Sequence, residues 1–461
     1  MHNNPSRLSL AIRLAALAAI TAPASVFAGG FALNEQSASA MGVANAGAAA
    51  NPENATTVLF NPAGMSQLSG TNLSFGAAVL DIDAEAKAES ISTTRNNPAV
   101  PVQPSSNGGD IADPAVLPNL YVTKELSEHV DIGFGIHAPY GLAADYDNEF
   151  AGRFFADKTE LTAIAFTPAI AVNNGQGLSM GLGLNVIYAE GRLTRYQDLS
   201  DQAGAAALVL DEPYADVEGD DVGMTVRFGF LYELSDKTQF GLSAQTGTEL
   251  ELKGDLEVSN VPVPPTFAQT TTLTEKVRVP LAIPESVSFG ARHRLNDDIT
   301  LLAGATYAKW SRFEELDIVS REVDGEVAGA PFTGAVITHI TEQWENTWQF
   351  NVGAIWQATP AWAFKAGYAF DESPVNESNV TARIPSEDRH WLTLGTQWKD
   401  AGSGWAVDVA VGTLIFSDDA EVDDREYSHE DPTGAPVSAA NYQATYDLSA
   451  WSASVQVSKA F

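Results

Sequence analysis

The chain contains no cysteine, which excludes disulfides, iron–sulfur ligation and thiol catalysis. Beyond its first residues it also lacks any run near the roughly 18 uninterrupted apolar residues that a helical membrane span requires. Basic residues are scarce, with 25 Lys and Arg against 59 Asp and Glu and a net charge of −34. So acidic a chain does not bind nucleic acid or anionic surfaces through bulk charge. No segment reads as an EF-hand loop, no HExxH occurs, and no metal or cofactor is expected. The seven histidines, among them His129, His137, His293, His339, His390 and His429, fall in no catalytic motif.

What is present is alternation. From Leu448 to the terminal Phe461, the residues Trp451, Ala453, Val455, Val457 and Phe461 point one way. Ser452, Ser454, Gln456, Ser458 and Ala460 point the other, because successive strand side chains face opposite sides. One apolar face and one small, polar face on a strand long enough to cross a bilayer is the pattern of a transmembrane β-barrel. Lys459 interrupts the apolar face near its end, where it can snorkel into the interface.

The start of the chain agrees. Arg7 and Arg13, the apolar core Leu14–Ala22 and the small residues around Val26-Phe27-Ala28 read as a secretory leader (residues 1–28) cut after Ala28. Its removal takes two of the 25 basic residues and none of the 59 acidic ones, moving the net charge from −34 to −36. With no helical span, the membrane part must be a closed barrel, since only closure satisfies strand edges in lipid.

The same two-sided alternation recurs at Leu178–Tyr188, Val222–Tyr232 and Trp362–Phe370. Turn signals between such segments give about fourteen antiparallel strands. They are expected to start near Thr71, Pro118, Asp131, Glu160, Leu178, Val222, Thr238, Thr272, Ile299, Thr338, Trp362, Asp388, Trp405 and Ala444. Short turns at Leu295–Asp298 and Thr359–Ala361 suit the periplasmic end; longer connections at Tyr196–Asp221, Gly254–Thr271 and Ser417–Asn441 suit the outside. The second face of each strand is mostly Gly, Ser, Ala and Thr, fitting a lumen packed by small residues, with Arg227, Lys365 and Asp371 neutralised by neighbours. Residues 29–69 break the pattern: they are rich in Ser, Ala and Gly with an Asn61-Pro62-Ala63 turn, and read as an N-terminal hatch plugging a barrel of residues 70–461. A general porin, the rival class, would lack such a plug.

Gly30–Gly42 (GFALNEQSASAMG), Asn61-Pro62-Ala63, Pro139–Ala143, Gly181–Asn185, Phe370–Val375 and Ile384–Trp391 together resemble the FadL family of outer-membrane long-chain fatty acid transporters. The resemblance implies a fourteen-stranded barrel, an N-terminal hatch containing Phe31, and passive uptake of hydrophobic molecules by a single chain. It implies contact with lipid and lipopolysaccharide but no enzymatic activity.

It also implies a ligand route. An outer groove between two loops corresponds here to Leu208 and Leu210 on one side and Val261 and Phe267 on the other. The lumen arginine of the family's pocket matches Arg195, suited to a carboxylate. The pocket's second basic residue falls at Glu345. An acid there would repel a fatty carboxylate or pair with Arg195, and would favour neutral aromatic hydrocarbons, unless another base such as Arg192 serves. The exit corresponds to a kink in the third strand at Ala138 and Pro139, because proline cannot donate to the ladder and belongs at edges or bulges. Hatch movement around Asn61–Ala63 would join pocket to exit.

Overall fold

The computed structural model describes residues 30–263, 267 and 269–461; the expected leader lies outside the described residues. Fourteen antiparallel strands close into a barrel. The first seven are β1 (Thr71–Ala86), β2 (Ala115–Ser127), β3 (Val130–Asp145), β4 (Lys158–Asn173), β5 (Leu178–Tyr196), β6 (Tyr214–Ser235) and β7 (Thr238–Gln245). The rest are β8 (Ser286–Arg294), β9 (Ile299–Ala308), β10 (Thr347–Gln357), β11 (Trp362–Asp371), β12 (Arg389–Asp400), β13 (Trp405–Phe416) and β14 (Asn441–Ala460). β14 pairs with β1 without interruption from Asn72↔Ala460 to Ala86↔Tyr446, which seals the barrel.

Burial runs opposite to that of a water-soluble protein. Along β14, Trp451 and Val455 are about half exposed while Ser452, Ser454, Gln456 and Ser458 are buried. The same outward apolar face recurs on β5 at Met180, Leu182 and Leu184, and on β11 at Trp362, Phe364 and Tyr368. Lys459 leaves that face at its end: its Nζ donates to the Ser403 carbonyl and lies 5.3 Å from the centroids of the Trp405 and Phe461 rings.

Several expectations about the long-loop end change: β6 already begins at Tyr214 within the expected loop Tyr196–Asp221, and Ala420–Arg425 within Ser417–Asn441 is a strand paired with β14. The segment expected as a loop at Gly254–Thr271 is instead a ribbon. Thr248–Pro262 and Thr270–Ile283 continue β7 and β8 past breaks at Gly247 and Pro284-Glu285 and pair with each other; Thr248–Pro262 also pairs with the upper part of β6. The tenth strand, expected from Thr338, begins at Thr347. Val336–Thr338 alternates like a strand but is a short loop strand paired with Ile318–Ser320, not part of the wall.

Residues 30–69 pack against the inward face of the wall. Asn61 caps the turn Pro62–Gln67 by accepting from Ala63 N, and its amide donates to the Ala49 and Phe230 carbonyls at 2.6 and 3.0 Å. The wall glycines make this approach possible: a Cβ at Gly229 would collide with Asn61 Oδ1, and one at Gly241 with the Ala49 carbonyl. Lys365, on β11, donates to Ser39 O at 3.0 Å, Glu53 at 2.6 Å and Asp408 at 3.2 Å, tying this segment to β11 and β13. Lys365 and Asp371 are thus neutralised as expected, Asp371 by Arg389 at 2.5 Å. Arg227 is not: it donates to Ser243 and Gln245, and its Nε has no partner.

Candidate functional site

The third strand departs from the ladder where its proline stands. β3 pairs with β2 only as far as Leu120↔Ile136, and its register with β4 slips between His137 and Tyr140. Pro118 on β2 is also within two residues of that last pair, so both sides of the seam carry a residue with no N–H to give. The freed backbone of β3 turns inward. Leu33 N donates to Pro139 O at 3.1 Å, Gly141 N donates to Phe31 O at 2.9 Å, and the Gln36 side chain donates to Ala138 O at 2.5 Å. Ala138 lies eight residues above the start of β3 at Val130. With a ~45° tilt this is about 19 Å along the barrel axis, within the apolar band.

Phe31, 1% exposed, is clamped by aromatic rings. Trp310 lies 4.7 Å away edge-on, with Phe313, Trp344 and Tyr140 at 5.7, 5.7 and 5.8 Å. The short segment Gly30–Asn34 separates two cavities. The upper one, about 50 Å³, is lined by Phe31, Leu142, Leu161, Leu252, Leu281 and Leu316, with Arg383 at its edge. The lower one, about 220 Å³, is lined by Ala32, Leu33, Pro139, Tyr140, His137 and Arg227, beside the kink. Asn61, Pro62 and Ala63 sit elsewhere, against β5 and β6 near the short-turn end.

Arg383 is the basic group that reading the sequence missed. It is 3% exposed. Its Nη1 donates to Thr159 Oγ1 at 3.1 Å and to Lys158 O at 3.4 Å, its Nη2 donates to Thr194 O at 3.3 Å, and its Nε has no partner. Three fully buried arginines do have acids: Arg95 has Asp198 at 3.1 Å, Arg153 has Glu212 at 2.7 Å, and Arg389 has Asp371. Among the described residues no carboxylate lies within ion-pairing distance of Arg383. Burial pushes its pKa down to about 10, so it remains a cation at neutral pH. Glu342, buried nearby and accepting from Trp344 Nε1 at 2.9 Å, is pushed up to about 8 by the same burial and is mostly neutral there.

The expected site residues are only partly brought together. Arg195 lines a small cleft with Arg383, but points to Glu426 and Thr338, each at 3.4 Å. Glu345 is exposed and accepts from Asn376, away from Arg195. Gln343, with φ of 47°, turns the chain so that Glu342 and Trp344 are buried and Glu345 is not. Arg192 pairs with Asp216 at 2.7 Å. Leu208 is exposed at the end of a short turn, Leu210 follows it, and Val261 and Phe267 belong to the ribbon; none of the four lines either cavity.

Comparison with known proteins accords with this geometry. A sequence profile described as outer membrane protein transport protein (OMPP1/FadL/TodX) matches residues 18–461. A putative outer membrane protein of Neisseria meningitidis serogroup B is 27% identical, over 96% of this chain and 97% of its own length. A long-chain fatty acid transport protein of Escherichia coli O6:H1 is 26% identical over 86% of this chain and 85% of its own. Among solved structures, a Pseudomonas aeruginosa FadL homologue superposes with a TM-score of 0.79 at 20% identity, covering 94% of this chain and 99% of its own. The Pseudomonas putida toluene transporter TodX gives 0.65 at 16%, covering 88% and 94%, a likeness of fold alone. Barrel, outward apolar face and full-length match agree: the chain belongs to the OMPP1/FadL/TodX family of outer-membrane transport proteins, channels for hydrophobic compounds in the Gram-negative outer membrane.

Proposed function

We propose that this protein takes up long-chain fatty acids passively, working as a single chain. Arg383 carries the reading: it is a buried cation with no ion-paired acid, at the edge of a mostly apolar cavity whose other polar lining residues are Thr159 and Glu160. An unpaired buried charge is costly, and a ligand carboxylate is the group that offsets that cost, through charge-assisted hydrogen bonds. Each methylene of the acyl chain adds about 0.8 kcal/mol on entering an apolar site. The relatives named as long-chain fatty acid transport proteins support the same cargo.

In this reading the exposed Leu208 and the half-buried Leu210, Val261 and Phe267 offer the first contact, among loops that meet lipopolysaccharide. The acyl chain then enters the upper cavity with its head group at Arg383 and Arg195. Residues 30–69 act as the hatch, and displacement of Phe31, rather than of Asn61–Ala63, joins the upper cavity to the lower. There Arg227, also without an acid, meets the carboxylate beside the gap at Ala138 and Pro139, and the ligand leaves sideways into the membrane.

The test compares uptake of labelled oleate and labelled toluene by cells with the gene intact, deleted or carrying Arg383→Met. Deletion should abolish protein-dependent oleate uptake, and Arg383→Met should lower it about tenfold or more, the worth of a charged hydrogen bond. Loss of toluene uptake alone would overturn this cargo. It would make the protein a channel for neutral hydrocarbons, the reading that the apolar lining of the upper cavity otherwise favours.

A further inference from the structure

The long-loop end holds a group of side chains that the transport route does not use. After β9 the chain runs through Glu315 and Asp317 into Ile318–Ser320, which pairs with Val336–Thr338. The ladder continues below this pair: Leu316 N donates to Ile340 O at 2.9 Å, and Glu315 bridges to Thr341. Asp317 and His339 are therefore cross-strand neighbours, on the same face as Glu315 and Thr341. His429, from the loop between β13 and β14, reaches over this face. It sits in a turn closed by Asp431 N donating to Ser428 O at 3.1 Å.

The four side chains converge. Asp317 Oδ1 lies 2.6 Å from His339 Nδ1, and its Oδ2 lies 2.8 Å from His429 Nδ1. Glu315 Oε2 stands 3.8 and 3.6 Å from the same two nitrogens, and all four candidate ligand atoms fall within 4.8 Å of one another. In a tetrahedral site with bonds of about 2.0–2.1 Å, ligand atoms are about 3.3 Å apart, so small side-chain shifts suffice. The side chains of Asp317 and His339 are shielded, whereas those of His429 and Glu315 are 45% and 41% exposed, giving an ion access. His339 Nε2 is engaged by Thr341 Oγ1 at 2.9 Å, the outer partner that fixes the ring of a ligating histidine.

We propose that Glu315, Asp317, His339 and His429 form a site for a divalent transition metal of the zinc class. Two imidazoles with two carboxylates suit zinc, whereas calcium and magnesium take oxygen ligands. With neutral imidazoles the cluster carries two negative charges, and the acidic loops around it raise the local concentration of cations. The metal would clasp two loops that, among the described residues, no strand pairing joins at this point. Just beside it Arg195 holds Glu426 and Thr338, each close in sequence to one of the histidines. The site stands whatever the cargo is.

The experiment is titration of Zn²⁺ into the full-length protein, purified in detergent and stripped with EDTA, followed by calorimetry and by competition with a chromophoric chelator. One saturable equivalent is expected, with Ca²⁺ failing to displace it, and Co²⁺ in its place should give the intense visible bands of a four-coordinate site. His429→Ala, at an exposed position, should weaken binding at least tenfold. His339→Ala should do the same, and His390→Ala, on β12, should leave it unchanged. Equal Zn²⁺ affinity in the wild type and His429→Ala, or only unsaturable binding displaced by Ca²⁺, overturns the proposal and leaves hydrogen bonds from the two histidines to Asp317 as the account of the cluster.

Discussion

Two seams of the barrel answer the same requirement in different ways. Between β1 and β14 the ladder runs unbroken, and its lumen face is closed by pairs such as Ser74 and Ser458, whose hydroxyls are 2.9 Å apart. Between β2 and β3 it stops at Leu120↔Ile136, and the upper part of β3 pairs instead with residues 31–33 inside the barrel. In hydrocarbon every backbone group must find a partner, so a gap in the wall is tolerable only if something else supplies the hydrogen bonds. Here the N-terminal segment supplies them. The same residues that bond to the upper part of β3 also carry Phe31, whose ring packs beside the upper cavity, while Ala32 and Leu33 line the lower one.

The largest effect should come from filling the gap. Ala138→Arg places a long side chain at the opened seam, and we expect oleate uptake to fall to the level of the deletion strain while the heat-modifiable gel shift of the folded barrel is unchanged. Normal uptake by that variant would remove the lateral exit. The comparison sharpens with engineered disulfides, which the cysteine-free chain makes clean to read. Asn119→Cys with His137→Cys, one step beyond the last pair of the open seam, should reduce uptake severalfold until reductant is added. Ser74→Cys with Ser458→Cys, across the closed seam, should leave uptake unchanged in both conditions.

The barrel was legible in the sequence because lipid and lumen impose opposite chemistry on alternate residues. The break at Pro139 was legible because a proline without an N–H can be read anywhere. The role of the wall glycines was half legible: small inward residues implied a packed lumen, but only the structure pairs Gly229 with Asn61 and Gly241 with Ala49. Positions fixed by loop geometry were not legible. The family resemblance puts Glu345 in the pocket, yet the turn at Gln343 buries Glu342 instead. Arg383 lies in no alternating segment, and nothing local marks it as buried. The ligands Glu315, Asp317, His339 and His429 are joined by a loop ladder and a separate turn, so their convergence has no sequence period.

A smaller effect is expected from the partition. Phe31→Ala removes a ring packed on four others, costing about 3–5 kcal/mol of local packing. Only Tyr140 among the four rings belongs to a wall strand, and the wall ladder is unchanged, so the barrel's melting temperature should move little, while planar-bilayer recordings should show higher ion conductance than the wild type. Conductance equal to wild type would mean that Phe31 does not separate the cavities.

The effect on uptake is smallest at Glu342, where the readout is stability and its sign follows from linkage. Burial raises this carboxyl from 4.5 to about 8 in the folded protein. Between those values the folded state holds a proton that the unfolded chain has released, so stability falls as pH rises, by at most about 1.4 kcal/mol per pH unit. Above about pH 8 the folded carboxyl ionises as well, and this contribution levels off. Thermal unfolding in detergent across that window should therefore show a declining midpoint in the wild type. Glu342→Gln keeps a neutral group that can accept from Trp344 Nε1, and should flatten the decline without lowering stability near neutrality. A decline of equal slope in that variant would assign it to other groups, with Asp424, raised to about 6 by burial in the same cluster, the next to replace.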